Sequence, residues 1–386
     1  MPLTRLSCFF SFMKSALKVL ALAPYPEQAA STRFRIAQFI PNLREQGIEC
    51  ELRPFIGNDL FAHLYNKSSL SRNAIGIMLS AAARVRDLLT ARKWDVIFIQ
   101  REAALVGPPL FERAISKLFG KPLVLDLDDP LWIQYTSPIY GRLGSRLRCL
   151  NKTSELIKRS SHVVCGNDFI AQHVSETGVG TTVLPTIVDT NKFSPKSNGQ
   201  TGAPLVIGWI GTHTTLPYLE QIMPALEKLA NKHSFILKVI GGGRALERAG
   251  GVNLAERDWS LEREVEDFRS FDIGLYPLND DEWSRCKSGF KAVQYACCGV
   301  PFVASPVGVV KDIANESGAA FLASSQGEWF DALDRLFTDK ALRVEMGSSG
   351  RRFALQRYLF EDQAARLGEI LFAAAANNGN GHRGVN

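Results

Sequence analysis

The stretch KSGFKAVQYACCGVPFVASPVG, Lys287 to Gly308, decides how the chain is read. Two lysines four residues apart lead into an apolar, helix-like run. Gly299 and Pro301 end that run, and a short β-like segment, PFVAS, follows and closes at Gly308. A strand so uniformly apolar has both faces covered, as strands of a parallel sheet do. The unit therefore reads as α/β core. If Ser288 to Cys298 is helical, Lys287, Lys291 and Gln294 also share one face. Two ammonium groups and an amide aimed at one spot suit a diphosphate and a sugar hydroxyl. The plain alternative is a solvated lysine face on a surface helix. Ala292, Val293, Tyr295 and Ala296 pack the other sides of this helix, which favours a seat at a cleft over a free surface.

Outward from this unit, the same alternation fills the chain. Toward the amino terminus the strand candidates are Lys18–Pro24, Ile48–Phe55, Asp95–Gln100, Pro122–Asp129, His162–Asn167 and Thr181–Thr186. Helical stretches lie near Ser31–Gln46, Ser69–Arg92, Pro108–Leu118, Gly141–Arg159 and Asp168–Thr177. A polar, Gly/Pro/Ser-rich segment, SPKSNGQTGAP (Ser194–Pro204), reads as a linker. Beyond it come LVIGWIG, a helix over Leu216–Lys232, FILKVIG, VNLAERD, a helix from Glu262, DIGLYPL, the opening unit, AAFLAS and closing helices. Two doubly wound halves joined by a linker place ligands in the cleft between them, at the carboxyl ends of the strands. The layout expected is an extension over 1–17, a first Rossmann-like domain over 18–195 and a linker over 196–204. A second Rossmann-like domain over 205–355, a closing helix over 356–375 and a disordered tail over 376–386 complete it.

The bulk numbers agree with two ordinary domains: 386 residues, 46% apolar and 22% charged. A net charge of +6 points mildly to an anionic partner, but the basic residues are scattered, which leaves nucleic-acid binding without support. The seven cysteines form neither a C-x-x-C nor a Cys/His ligand pattern, so a reducing compartment and no structural metal are expected. No apolar run is long enough to span a membrane. The amino terminus imitates a secretory signal, with Arg5, an apolar stretch and Ala-x-Ala at Ala21 to Ala23. Lys14 and Lys18 interrupt the stretch, and cleavage after Ala23 would remove the best early strand. An extension is therefore expected, with Met13 as an alternative start.

Three further stretches carry chemistry. GWIGTHTTLPYLE is a strand, a Gly turn and a helix; Gly211 allows close backbone approach, and Thr212 with its neighbours offers hydroxyls at a helix N-terminus, a phosphate-friendly set. A capped helix after a strand explains it equally simply. Arg33 and Arg35, read as opening a helix after the first strand, oppose its dipole unless an anion is present, or else pair with acids elsewhere. DLDDPLW ends a strand with Asp126, Asp128 and Asp129, where crowding raises a carboxyl pKa. A metal site or a helix cap would account for them too, and Arg101 sits at an analogous strand end.

FKAVQYACCGVPFVASPVG resembles the donor-site helix and strand of the retaining glycosyltransferases of family 4 (group 1), whose fold is GT-B. GWIG, VLPTIVDTNKFSP and FDIGLYPL extend the likeness from about Lys18 to Leu371. The resemblance implies two Rossmann-like domains facing a central cleft. It implies transfer of a hexose from a nucleotide sugar, with retention, to a glycan or polyprenyl-linked acceptor, in cell-surface or extracellular polysaccharide synthesis. It implies a cytoplasmic protein at the inner face of the cell membrane, with peripheral membrane contact, and no cofactor beyond the donor substrate. By position, Gln294 stands where the family's second Glu holds the ribose, and Cys286 where its first Glu stands. The family's Arg/Lys diphosphate clamp is replaced by THTT. In this divergent branch Lys287 and Lys291 are expected to take the diphosphate, with Gly211 and Thr212 assisting, Asp281 or Glu282 touching the hexose, and Asp128 orienting the acceptor. Arg33, Arg35 and Arg101 are the expected acceptor contacts. An epimerase of the same fold, or a non-catalytic subunit of a polysaccharide assembly complex, are the alternatives.

Overall fold

The computed structural model describes residues 16–64, 70–133, 149, 151–196, 204–243, 246 and 250–381. All twelve strands that the alternation predicts are present, in two parallel sheets. The first sheet contains β1 (Leu17–Ala23), β2 (Ile48–Pro54), β3 (Val96–Gln100), β4 (Leu123–Leu127), β5 (His162–Cys165) and β6 (Thr181–Val183). Their order is β2-β1-β3-β4-β5-β6. The second contains β7 (Leu205–Ile210), β8 (Phe235–Ile240), β9 (Asn253–Arg257), β10 (Ile273–Tyr276), β11 (Phe302–Ala304) and β12 (Ala320–Leu322), ordered β12-β11-β10-β7-β8-β9. In each sheet the winding reverses beside the first strand, which opens a crevice at the carboxyl ends. The interior strands β3 and β4 are buried along their whole length, as the unbroken apolar runs require. The edge strand β9 is largely exposed and correspondingly polar.

The helices depart from the sequence reading where proline and backbone geometry intervene. Ser31–Gln46 is not one helix: Ala30–Arg35 ends as Ile36 leaves helical backbone (φ −130°, ψ −65°), a 3-10 turn covers Ala37–Phe39, and Ile40–Glu45 follows with Pro41 at its start. Arg33 and Arg35 therefore occupy the last turn, where positive charge favours the dipole rather than opposing it. Leu216–Lys232 is likewise two helices, Leu216–Gln221 and Met223–Ala230, the second carrying Pro224 in its first turn, where a missing N–H is harmless. Asn58–His63 is a short helix that the sequence reading lacks. Of the expected helix over Gly141–Arg159, Lys152–Arg159 is present and 141–148 lie outside the described residues.

The closing helix is Phe360–Gly381, longer than expected, so the first part of the supposed disordered tail is helical. The remainder of that tail, most of the linker and residues 1–15 of the extension lie outside the described residues. The closing helix returns to the first domain. Its buried Ala364, Leu367, Leu371 and Ala374 join that core, Phe360 stacks on Phe39 at 5.2 Å, and Gln46 Nε2 donates to the Ala364 carbonyl at 3.2 Å. The segment before the linker is fastened to the second domain. Arg269 Nε donates to the Ser194 carbonyl at 2.7 Å, and Arg351 donates to the Phe193 and Thr190 carbonyls. Phe34 of the first domain packs on Phe290 of the second, with ring centroids 4.6 Å apart, so the two halves share one apolar seam.

Candidate active site

A cavity of about 430 Å³ opens at the carboxyl ends of the second sheet's strands, roofed by the first domain. The opening unit forms one of its walls. The helix there is Phe290–Cys297, two residues shorter at its start than the sequence suggests. Gly289 causes the difference: it adopts φ 65°, a left-handed backbone that interrupts the helix, and a Cβ at this position would lie 2.7 Å from Ile313. Lys287 thus precedes the helix rather than sharing its face, yet Lys287, Lys291 and Gln294 all line the same cavity.

The charge balance on this wall is one-sided. Among the described residues neither lysine forms an ion pair; Lys291 Nζ lies 5.5 Å from the centre of the Tyr276 ring, and Lys287 Nζ 5.8 Å from that of Trp283. Burial, then the Lys287 charge, pushes the Lys291 ammonium down to about 7. Gln294 is 3% exposed, and its amide faces the Glu264 carboxyl and helps to lower it, although its Nε2 makes no hydrogen bond of full geometry among the described residues. A half-buried cation without an anion is unfavourable unless a ligand supplies the missing partner.

The opposite wall comes from the tips of β7 and β8. Gly211 is required by close approach, since a Cβ would sit 2.3 Å from the Trp209 ring. Thr212 lines the cavity, but its N–H donates to Thr215 Oγ1 at 3.0 Å and its hydroxyl pairs with Thr214 Oγ1 at 2.7 Å. The threonines therefore largely satisfy one another, and the helix that follows, Leu216–Gln221, is short and has no side-chain cap. Asp281 does not reach the cavity among the described residues. Its Oδ1 accepts from the Ser284 N–H at 2.7 Å and caps the helix Glu282–Arg285.

The first domain contributes differently from what the sequence suggests. Arg35 is buried against Asp126, which it meets with Nε at 3.0 Å and with Nη2, while Nη1 donates to the Leu184 carbonyl at 2.6 Å. It is an interior ion pair, not an acceptor contact. Arg33 Nη2 crosses the cleft to Glu264 Oε2 at 2.8 Å, so it, too, is held by an acid. Burial raises the Glu264 carboxyl, against the pull of Arg33. Arg101 adopts φ 63°, uncommon for a side-chain-bearing residue, and clamps Asp128 with Nε at 2.6 Å and Nη2 at 2.8 Å while also pairing with Asp129. Burial pushes the Asp128 carboxyl up, but Arg101 wins and holds it below its usual range. Asp126 is raised, by burial foremost and only secondarily by Asp128. Asp128 is thus closed off, and its neighbour Asp129 lines the cavity instead. Glu264, Trp259, Tyr218 and Gly241 also line it without having been singled out in the sequence. Asp129 had a signal, the DLDD run; Glu264 had none, because its partner is Arg33, 231 residues away.

Two parallel, doubly wound sheets with a cleft lined from both define the GT-B architecture, and the solved structures most similar to this chain share it. No family model matches the chain, and no curated protein matches it by sequence. Anabaena HepE, solved in complex with UDP and glucose, is 16% identical with a TM-score of 0.63, over 92% of this chain and 99% of that one. A glycosyltransferase from Rickettsia africae is 13% identical with a TM-score of 0.66, over 94% and 99%. WaaG, a glycosyltransferase involved in lipopolysaccharide biosynthesis, is 13% identical with a TM-score of 0.62, over 92% and 99%. The structural neighbours are glycosyltransferases, and the expected fold is borne out.

Proposed function

We propose that the cavity binds a nucleotide sugar and that the chain transfers its hexose, with retention, to a glycan or lipid-linked acceptor in polysaccharide synthesis. The observation that carries this reading is the pair Lys287 and Lys291, without acidic partners among the described residues, beside the Gln294 amide in one cavity. A diphosphate supplies the anion and a ribose hydroxyl meets the amide. As the bond from the anomeric carbon to the diphosphate breaks, charge gathers on the leaving phosphate, and the two ammonium groups stabilise it there. The acceptor oxygen bonds to the anomeric carbon from the leaving-group face, and its proton passes to the departing phosphate. No protein nucleophile takes part. Gly211, bare of a side chain, leaves room for the phosphates at the tip of β7, and Asp129, which Arg101 also holds, faces the acceptor hydroxyl.

A thermal-shift screen of nucleotide sugars tests the reading. The correct donor at 100 times its dissociation constant adds about 2.7 kcal/mol of stability. No shift with any nucleotide sugar overturns it in favour of a non-catalytic subunit. Sugar inversion without any acceptor would establish the epimerase alternative.

Peripheral membrane contact also finds support. No helix among the described residues is long and apolar enough to cross a membrane. However, the helix Leu70–Leu89 exposes Ile75, Met78, Leu79 and Leu89 by 56 to 74%, a stripe at helical spacing. Exposed Arg86, Arg92, Lys93 and Lys117 lie along and beyond it, so the matching occupant is an anionic bilayer. Co-sedimentation with phosphatidylglycerol vesicles, lost in Met78→Glu/Leu79→Glu and weak with neutral vesicles, is expected. Equal binding by the variant removes this contact.

A further inference from the structure

A second cavity, of about 260 Å³, lies between the domains beside the first, and nothing in the reading above uses it. Its first-domain wall is one face of the helix Asp168–Ser175 and its continuation, carrying Phe169, His173 and Glu176 at i, i+4 and i+7, together with Trp132 from the loop after β4. Its second-domain wall is the helix Glu282–Arg285. One bond ties the walls together: Asn167, which caps the first helix through Oδ1, donates from Nδ2 to the Cys286 carbonyl at 2.6 Å. The two cavities share their dividing segments. Asp129 lines the first and Trp132 the second; Lys287 lines the first and Cys286 the second.

The lining has a definite chemistry. Trp132 and His173 stack with centroids 3.9 Å apart and planes 10° from parallel, which makes a flat, rigid slab; Phe169 beside it is 39% exposed. Glu176 and Glu282 are exposed carboxylates with no ion pair among the described residues, whereas Arg285 is engaged by Asp280 at 2.6 Å. The cavity is therefore aromatic and net negative. Its negative lining repels a phosphate or diphosphate head group. A pyranose ring fits both properties: its C–H face lies on aromatic carbon, and its hydroxyls donate to carboxylates that hold no other partner.

We infer that this second cavity seats an uncharged sugar ring of the acceptor, so that the group receiving the hexose is the end of a glycan rather than a lipid phosphate. The inference rests on the first cavity being the donor site, because only then does a ring here lie next to the bond that breaks. A free glycan and a lipid-linked one present the same ring, and the pocket treats them alike.

Saturation-transfer NMR with the full chain and the methyl glycosides of glucose, galactose, mannose and N-acetylglucosamine tests it, with glucose 1-phosphate and farnesyl phosphate as the anionic arm. At least one glycoside is expected to receive saturation, with affinity about tenfold weaker in Trp132→Ala, the scale of losing one aromatic platform. Glu282→Lys, an exposed change that leaves the fold intact, is expected to weaken glycoside binding and to gain binding of glucose 1-phosphate. The thermal shift given by the donor stays unchanged in Trp132→Ala. No glycoside signal in the wild type, a signal indifferent to both substitutions, or wild-type preference for the phosphates overturns the assignment. Glycoside binding that survives while no nucleotide sugar shifts the wild type separates the other failure, that of the donor site.

Discussion

Replacing Lys291 by alanine is expected to lower nucleotide-sugar turnover by about a hundredfold or more, the scale of losing one preorganised charge stabiliser. The loss is shared between donor binding and the chemical step, so the donor KM rises and kcat falls while the protein stays folded. The same residue sets a pH dependence. In the free protein Lys291 is pushed down to about 7 by burial and by Lys287, and a bound diphosphate restores its proton. Donor binding above pH 7 therefore takes up a proton, and affinity weakens by about tenfold per pH unit until the pKa of the complex is reached. Stability of the free protein moves the other way. Between about 7 and the ordinary lysine value of 10.5 the unfolded chain binds the extra proton, so this group makes folding more favourable as pH rises through that window. Calorimetry at two pH values in buffers of different ionisation enthalpy reads the proton uptake, and Lys291→Ala abolishes it. Wild-type turnover in the variant, or a flat pH profile in the native protein, removes Lys291 from the site.

Arg35→Met is expected to cost about 3–5 kcal/mol of stability, because it leaves the Asp126 carboxylate buried without its counter-ion. Both side chains of this pair are 2% exposed or less, and burial already pushes the Asp126 carboxyl up. Combining it with Asp126→Leu restores most of the loss, since removing both charges leaves nothing uncompensated. Denaturant unfolding of the two variants measures this directly. The donor-induced thermal shift of the double variant matches that of the wild type. Undiminished stability together with weakened acceptor kinetics in Arg35→Met would return the residue to the acceptor contacts.

These two residues show what a sequence makes legible. Buried parallel strands announce themselves as unbroken apolar runs, and VIFIQ or LVLDL admits hardly any other reading. Gly211 and Thr212 reach the cavity because they follow the end of β7, and Lys287, Lys291 and Gln294 because they stand before and along the helix Phe290–Cys297 that walls it. Helix limits were less legible where one backbone angle decides, as at Ile36 and Gly289. Arginine roles were not legible at all. A charge is visible in sequence, but its partner is not: Arg35 finds Asp126 across 91 positions and Arg33 finds Glu264 across 231. Which carboxylate of DLDD lines the cavity was not legible either: Arg101, turned through a left-handed backbone, holds both Asp128 and Asp129, and Asp129 is the one at the cavity.

The closing helix has a consequence for the order of events at synthesis. Ala364, Leu367, Leu371 and Ala374 complete the core of a domain whose strands were made some two hundred to three hundred and fifty residues earlier. The first half of the chain emerges first and yet lacks one of its own layers until that helix has left the ribosome. Phe39, Leu43 and the faces of β3 and β4 beneath that helix lack this cover through the synthesis of the entire second domain. The first domain therefore gains its full core only after the second has been made, a departure from the order in which each domain settles as it appears.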